Sequence, residues 1–213
     1  MLKIILATGN PGKLREFSAV LAGLELNLVA QSDFNTPEAA ETGLTFVENA
    51  LLKARNAALH TGLTALADDS GLVVDALNGA PGLYSARYAG FGANDHANIA
   101  KLLHELHGVT TKRRTARFVC VLALLRHPAD PTPLICQGTW EGVILTEPRG
   151  MGGFGYDPVF FIPTEQRTAA ELEPAAKNRL SHRGQALAQL HQQLSQWLEF
   201  QAALTKSGRL STA

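Results

Sequence analysis

Two adjacent acidic residues, Asp68 and Asp69, follow a short apolar segment and precede Ser70 and Gly71. Carboxylate oxygens are typical Mg²⁺ ligands, usually one or two together with the phosphates of a substrate. Because successive side chains of a strand point to opposite faces, we expect the two acids to do different jobs, with one of them facing a site. Glu41, in a loop before a capped helix, is a candidate second acid. The alternative is an acidic turn that caps the next element.

A glycine-containing loop joins the first predicted strand to the first predicted helix. Its residues are Thr8, Gly9, Asn10, Pro11, Gly12 and Lys13. Glycines let a backbone approach an anion closely, and a helix N-terminus offers free N–H groups, so the loop favours phosphate binding. It is not a Walker A loop, because Gly9 and Gly12 enclose only two residues and Leu14 replaces the Ser or Thr. A plain turn with a solvated lysine is the alternative.

Glycines surround an aromatic pair in the segment 150–158. Three of them match the G-x-G-x-x-G spacing of dinucleotide-binding loops, but an apolar strand follows here where that fold requires a helix. Phe154 and Tyr156 instead suit a wall on which a ring stacks, while Asp157 accepts a hydrogen bond. A tight structural turn is the alternative.

Basic residues flank the start of the last predicted helix. Ser181 is a good N-cap, and Lys177 and Arg183 add positive charge beside the free N–H groups of the helix. This pattern favours a second anion-binding site, and a capped helix with exposed basic residues is the alternative. Together with an acidic metal site and an aromatic wall, two anion sites indicate a nucleoside polyphosphate with Mg²⁺.

Helical and extended patterns alternate along the chain, which predicts an α/β architecture without internal repeats or linkers. The predicted elements are a strand at 3–7, a helix from Leu14, a helix over 46–61 capped by Thr45, a strand over 63–67 ending at the acid pair, a helix capped by Asn94 and ending at Gly108, a hairpin of strands 116–126 and 134–145, a strand at 158–162, a last helix from about Ser181, and a frayed tail from about Lys206.

Composition excludes several function classes. The 213 residues include 46% hydrophobic side chains, enough for a sizeable core, and 19 basic against 19 acidic residues. A net charge of zero lacks the broad positive field on which non-specific binding to nucleic acid or an anionic membrane relies. No apolar run approaches the roughly 20 residues of a membrane span. Cys120 and Cys136 are expected to be buried reduced thiols, which favours a cytoplasmic protein.

Five motifs, taken in order, resemble the inosine/xanthosine triphosphate pyrophosphatase family. They are Thr8-Gly9-Asn10 with Gly12-Lys13, Ala67-Asp68-Asp69-Ser70-Gly71-Leu72, Gly79-Ala80-Pro81-Gly82 with Tyr84-Ser85-Ala86-Arg87-Tyr88, Gly153-Phe154-Gly155-Tyr156-Asp157-Pro158, and Ser181-His182-Arg183-Gly184. The resemblance runs from residue 1 to about 195. It implies two lobes around a long mixed sheet with a central cleft, a homodimer, and hydrolysis of ITP, dITP or XTP between the α and β phosphates.

The resemblance also implies a role for each site residue. The metal ligands would be Asp69, Glu41 and Asp68, with Asp69 also activating the water. The triphosphate would be held by the loop from Thr8 to Lys13. The remaining substrate contacts would come from Ser70, Phe154, Gly155, Tyr156, Asp157, Lys177, His182 and Arg183. Mg²⁺ is the expected cofactor.

Two other functions stay open from the sequence. A pyrophosphatase for modified pyrimidine nucleotides would share the phosphate chemistry and differ in its base pocket. A sensor would bind a triphosphate without cutting it, although such a protein gains little from a water-activating carboxylate. The catalytic domain is predicted over 1–200, and a C-terminal tail over 201–213 departs from the family pattern and has no assigned role.

Overall fold

The computed structural model describes residues 2–8 and 11–206 of the chain. Within them a mixed seven-stranded sheet has the strand order β2-β1-β3-β4-β5-β6-β7. The strands are β1 (Leu2–Leu6), β2 (Leu26–Ala30), β3 (Thr64–Val74), β4 (Thr115–Leu125), β5 (Leu134–Ile144), β6 (Phe160–Ile162) and β7 (Arg167–Thr168). β1 pairs in parallel with β2 and β3, and the remaining neighbours are antiparallel. The predicted α/β class is confirmed.

Five α-helices lie in the described part of the chain. They are α1 (Pro11–Val20), α2 (Phe46–Thr61), α3 (Asp95–Glu105), α4 (Pro174–Leu180) and α5 (His182–Lys206). The predicted caps are confirmed: the Thr45 side chain accepts from Glu48 N–H, and the Asn94 side chain accepts from Ala97 N–H. None of the described helices is long and apolar enough to cross a membrane.

The apolar residues of the long strands form separate cores on the two halves of the sheet. On one half, α1 and α5 cover one face around Phe17 and Leu190, and α2 covers the other face around Ala54. Beyond it, α3 and β6 enclose a further cluster that includes Leu102 and Phe160. Because β3 and β4 contribute to all of these clusters, they connect two lobes through one continuous sheet.

The prediction that the acid pair ends its strand is wrong. β3 continues through the pair to Val74 and stays in antiparallel register with β4 from Ala65 opposite Leu125 to Val74 opposite Ala116. This long ladder overrides the low strand propensity of consecutive aspartates and of Gly71, because propensity in a sheet depends on pairing and packing.

Other boundaries also differ from the predicted ones. β2 and α4 were not predicted, α3 ends at Glu105 before the expected Gly108, and β6 begins at Phe160 after a 3₁₀ turn. The predicted hairpin of long strands is confirmed as β4 and β5. α5 continues through Lys206, so the first part of the predicted tail 201–213 is helical, while residues 207–213 lie outside the described range.

Candidate functional site

The two carboxylates of the acid pair lie at the junction of the two lobes. Ala67, just before them, belongs to the core under α2, and Leu72, just after them, belongs to the cluster near α3. Alternation along β3 directs Asp68 towards the α1 and α5 face and Asp69 towards the α2 face, as the ion pairs of each carboxylate establish.

Asp68 is a buried anion held by basic side chains of two helices. Its side chain is 1% exposed, and its carboxylate oxygens lie 2.8 and 3.0 Å from the Lys13 Nζ atom of α1. Arg183 of α5 approaches the same carboxylate to 3.7 Å. Burial alone would raise the pKa of Asp68, but the charges of Lys13 and Arg183 outweigh it and the pKa is lowered. Asp68 therefore stays ionised and fixes Lys13.

Asp69 belongs to a second charged cluster on the opposite face. The Lys53 Nζ atom of α2 lies 2.7 Å from Asp69 Oδ1 and 3.0 Å from Glu41 Oε1, so one ammonium group joins both carboxylates. Burial raises the pKa of Asp69, and the neighbouring Glu41 charge adds to this effect, while Lys53 opposes it. Burial lowers the pKa of Lys53, but the charges of Asp69 and Asp68 and the hydrogen bonds to Asp69 and Glu41 together outweigh it, so the pKa is raised.

Sequence reasoning did not single out Lys53, although a signal was present. On α2 the buried face is formed by Ala50, Ala54 and Ala57, and Lys53 falls on the same face by helical spacing. Because this alanine stripe packs against β3, a lysine within it can pair with the aspartate of β3 that faces α2. The Lys53 ammonium group makes that pair with Asp69.

The donors around Lys53 suit a divalent cation in part. Glu41 and Asp69 converge on one cation position, and Mg²⁺ typically takes one or two carboxylates together with substrate phosphates. Within residues 2–8 and 11–206, no three acidic, histidine or cysteine side chains are arranged to hold one metal ion. Asp68 is paired with Lys13, and the ligand set of Asp69, Glu41 and Asp68 stays a prediction. A metal held by Glu41 and Asp69 would need oxygens from a substrate.

Two neighbouring cavities meet beside Lys13, which lines both. The first, about 450 Å³, is polar and includes Thr8, Glu41, Lys53 and Asp68 in its lining. The second, about 390 Å³, has a more apolar lining. It includes the predicted residues Ser70, Phe154, Gly155, Tyr156, Asp157, Lys177, His182 and Arg183. A charged group and a flat apolar group joined to each other could therefore occupy both cavities with Lys13 between them.

The aromatic wall of the second, more apolar cavity is held by charged side chains. The Phe154 ring is 59% exposed, and the Lys177 Nζ atom lies 4.6 Å from its centroid. Asp157 is ion-paired with Lys177 and accepts a hydrogen bond from Phe154 N–H at 2.8 Å. Gly153, at a φ of +75°, leaves room for this carboxylate, because a Cβ atom there would collide with it. Lys177 thus belongs to the ring-binding end of the cavity.

The next two residues of this segment are bound to segments distant in sequence. Gly155 N–H donates to Asp95 Oδ2 at 2.6 Å, and Tyr156 Oη donates to the Ser85 carbonyl at 2.8 Å. Tyr156 is 4% exposed, so it supports the wall from behind and exposes little of its ring to the cavity.

The N-terminus of α5 closes the far side of the same cavity. Ser181 Oγ accepts from Gly184 N–H at 3.1 Å, which confirms the predicted cap. The His182 ring stacks on Phe118 with centroids 4.8 Å apart, and burial together with nearby Arg183 and Lys177 lowers the pKa of His182 to about 3. The imidazole is therefore neutral at physiological pH and has one N–H to donate.

The glycine loop lies only partly within the described structure. Thr8 lines the polar cavity and Lys13 lines both cavities. Gly9 and Asn10 lie outside the described residues, and of Pro11 and Gly12 the structure describes the backbone at the start of α1. Phosphate binding by these four residues stays a prediction.

Comparison with known proteins places the chain among close relatives. A model described as the Ham1 family matches residues 4–193. A curated protein of Vibrio parahaemolyticus named dITP/XTP pyrophosphatase is 60% identical over 92% of this chain and 98% of its own length. One of Thioalkalivibrio sulfidiphilus with the same name is 62% identical over 91% of this chain and 98% of its own. A solved HAM1 protein from Coxiella burnetii is 55% identical, with a TM-score of 0.90 over 92% of this chain and 100% of its own.

Proposed function

Because this chain belongs to the Ham1 family, we propose that it is a dITP/XTP pyrophosphatase. It hydrolyses non-standard purine nucleoside triphosphates such as dITP, ITP and XTP to the nucleoside monophosphate and pyrophosphate, and so removes them from the nucleotide pool. The single observation that carries this assignment is the pair of adjoining cavities, one polar with Glu41 and Lys53, the other walled by Phe154, with Lys13 between them.

The base binds in the cavity walled by Phe154. A purine ring stacks on the exposed face of Phe154, and Lys177, held by Asp157, donates to a 6-keto oxygen. A 6-amino group offers no acceptor at that position. A site that loses such a hydrogen bond can disfavour the 6-amino purine relative to the 6-keto purine by a factor of about 10⁴. His182 supplies a neutral N–H on the opposite side. Arg183 and Ser70, whose side chains lie 3.4 Å apart, line the base cavity together with Lys13.

The negatively charged triphosphate binds in the polar cavity. Lys13, together with Thr8, Gly9, Asn10, Pro11 and Gly12, holds the phosphates. Mg²⁺ bound by Glu41 and Asp69 would neutralise phosphate charge and acidify a bound water. Asp69 accepts the proton of the attacking water. Lys53, which joins Glu41 to Asp69, keeps both carboxylates in place, and Lys13 stabilises charge that develops on the leaving pyrophosphate.

Asp68 has a positioning role in this scheme. It is ionised, buried and bound to Lys13, so it aims the lysine at the point where the cavities meet.

The assembly and location of the protein follow from the family resemblance. We expect a homodimer, as the resemblance implies. We also expect a cytoplasmic enzyme, in keeping with two buried free cysteines, Cys120 and Cys136, and with a substrate drawn from the nucleotide pool.

A substrate panel tests the assignment. The protein is incubated with Mg²⁺ and each of dITP, XTP, dATP, GTP and a modified pyrimidine triphosphate, and kcat/KM is measured for each. We expect dITP and XTP to be preferred to dATP by at least about 10³-fold. Preference for the pyrimidine would support the rival pyrophosphatase, and tight binding without turnover would support a nucleotide sensor.

A further inference from the structure

Arg87 lies at the edge of the polar cavity without a role in the scheme above. It ends the short 3₁₀ helix Gly82–Arg87 and lines the polar cavity together with Lys13 and Lys53. Resting on the proposed function, we propose that Arg87 binds the two phosphates that leave as pyrophosphate.

The ion pairs of the cavity distinguish Arg87 from the two lysines. Lys13 lies within 3.0 Å of Asp68, and Lys53 lies within 3.0 Å of both Asp69 and Glu41. The Arg87 Nη1 atom makes a longer ion pair, 3.6 Å, with Glu41 Oε2, and 42% of the Arg87 side chain is exposed. Its donors are thus the least committed of the three cations.

The guanidinium group is nevertheless held in a defined direction. It lies over the Tyr84 ring at 5.4 Å from the centroid, which limits the rotation of the side chain. The backbone of its helix is fastened to β3, because Ser85 Oγ accepts from Leu72 N–H at 2.8 Å and donates to the Gly82 carbonyl at 2.6 Å. Arg87 is therefore a directed charge on a fixed support.

The order of the cavities indicates which phosphates Arg87 meets. A base on Phe154 places the nucleoside in one cavity, and Lys13 lines the passage between the two. Of the two cavities, Arg87 lines the polar one and not the one walled by Phe154, so it lies on the side of Lys13 away from the base. That side receives the terminal phosphates. A guanidinium group binds two phosphate oxygens at once, which suits a dianionic or trianionic leaving group.

Binding of products to the intact protein tests the proposal. Calorimetry in Mg²⁺ measures the affinity for inorganic pyrophosphate and, separately, for inosine monophosphate. We expect Arg87→Ala to weaken pyrophosphate binding at least about tenfold, as the loss of a charged hydrogen-bond pair predicts, and to change monophosphate binding by less than about threefold. Arg87→Lys keeps the charge but loses the planar guanidinium group that binds two oxygens at once. Its affinity for pyrophosphate should fall between that of Arg87→Ala and that of the original protein.

The matched control is Arg117→Ala. Arg117 is similarly exposed and pairs with Asp75 and Glu141 away from the cavities, so its removal should leave both affinities unchanged. Unchanged pyrophosphate affinity in Arg87→Ala would overturn the proposal, and so would equal weakening of both products, which marks a structural role, or failure of the original protein to bind pyrophosphate. Failure of the proposed function is a separate result, seen as a protein that releases no pyrophosphate from dITP.

Discussion

The carboxylates of Asp68 and Asp69, neighbours in the chain, are bound by lysines on opposite faces of the same sheet. Lys13 of α1 binds Asp68, and Lys53 of α2 binds Asp69. The backbone of β3 stays extended through both residues, so alternation alone separates the two charges. One acid is then almost fully buried and paired with Lys13, while the other is paired with Lys53, which lines the polar cavity.

The first prediction concerns the acid that acts on water. Asp69→Asn should lower kcat for dITP by at least about 10³-fold, because the amide can neither accept the proton nor bind a metal strongly. The amide is nearly the same size, so the thermal midpoint should stay within a few degrees. Full activity in a folded Asp69→Asn protein would remove Asp69 from the mechanism.

A second prediction concerns the buried ion pair. Lys13→Met leaves Asp68 paired with Arg183 at 3.7 Å, and should lower the free energy of unfolding by about 3 kcal/mol. Removing the buried charge as well, in Lys13→Met with Asp68→Asn, should restore part of that loss. Urea unfolding of both variants measures the difference. Equal stability of the single and double variants would contradict a charge effect.

The acid pair also illustrates how far the sequence predicts this site. The types of the residues and the two-residue period of a strand were sufficient to place Asp68 and Asp69 on opposite faces. Neither Lys53 nor the length of β3 was predicted, because both depend on partners distant in sequence: the α2 packing for Lys53 and the β4 ladder for β3. Local propensity favours ending a strand at consecutive aspartates, and tertiary pairing outweighs it.

Other parts of the molecule also divide into features that the local sequence predicts and features that depend on distant partners. The caps at Thr45 and Asn94 are local and were predicted with their residues. The contact of Gly155 N–H with Asp95 joins residues that are 60 positions apart in the chain, and no local pattern in either segment indicates it. The stack of His182 on Phe118 has the same origin, since it requires α5 to dock on β4.

A third prediction follows from the neutral state of His182. Its pKa is lowered from 6.5 to about 3 in the folded protein, so the unfolded chain takes up the proton first as the pH falls. The stability attributable to this group is complete above pH 6.5 and is lost as the pH drops below it, by up to about 1.4 kcal/mol per pH unit.

Chemical unfolding between pH 7 and pH 5 measures this effect. The His182→Gln variant should show a shallower dependence of unfolding free energy on pH over that interval than the original protein. Identical slopes in the two proteins would show that another group causes the loss of stability.

A fourth prediction concerns the hydrogen bond from Gly155 N–H to Asp95. Asp95→Ala removes the acceptor of Gly155 N–H and should raise KM for dITP several-fold while changing kcat less, because the aromatic wall is positioned less well. Asp95→Asn keeps an acceptor oxygen and should retain a KM near that of the original protein. A large loss in Asp95→Asn with little in Asp95→Ala would contradict a positioning role.

The central claim is that water cuts dITP to a monophosphate and pyrophosphate with the help of Asp69. Products of dITP hydrolysis with Mg²⁺ are identified and counted by ³¹P NMR for the original protein and for Asp69→Asn. We expect deoxyinosine monophosphate and pyrophosphate in equal amounts from the original protein, and almost none from the variant. Orthophosphate with deoxyinosine diphosphate, or equal rates in the two proteins, would contradict the account.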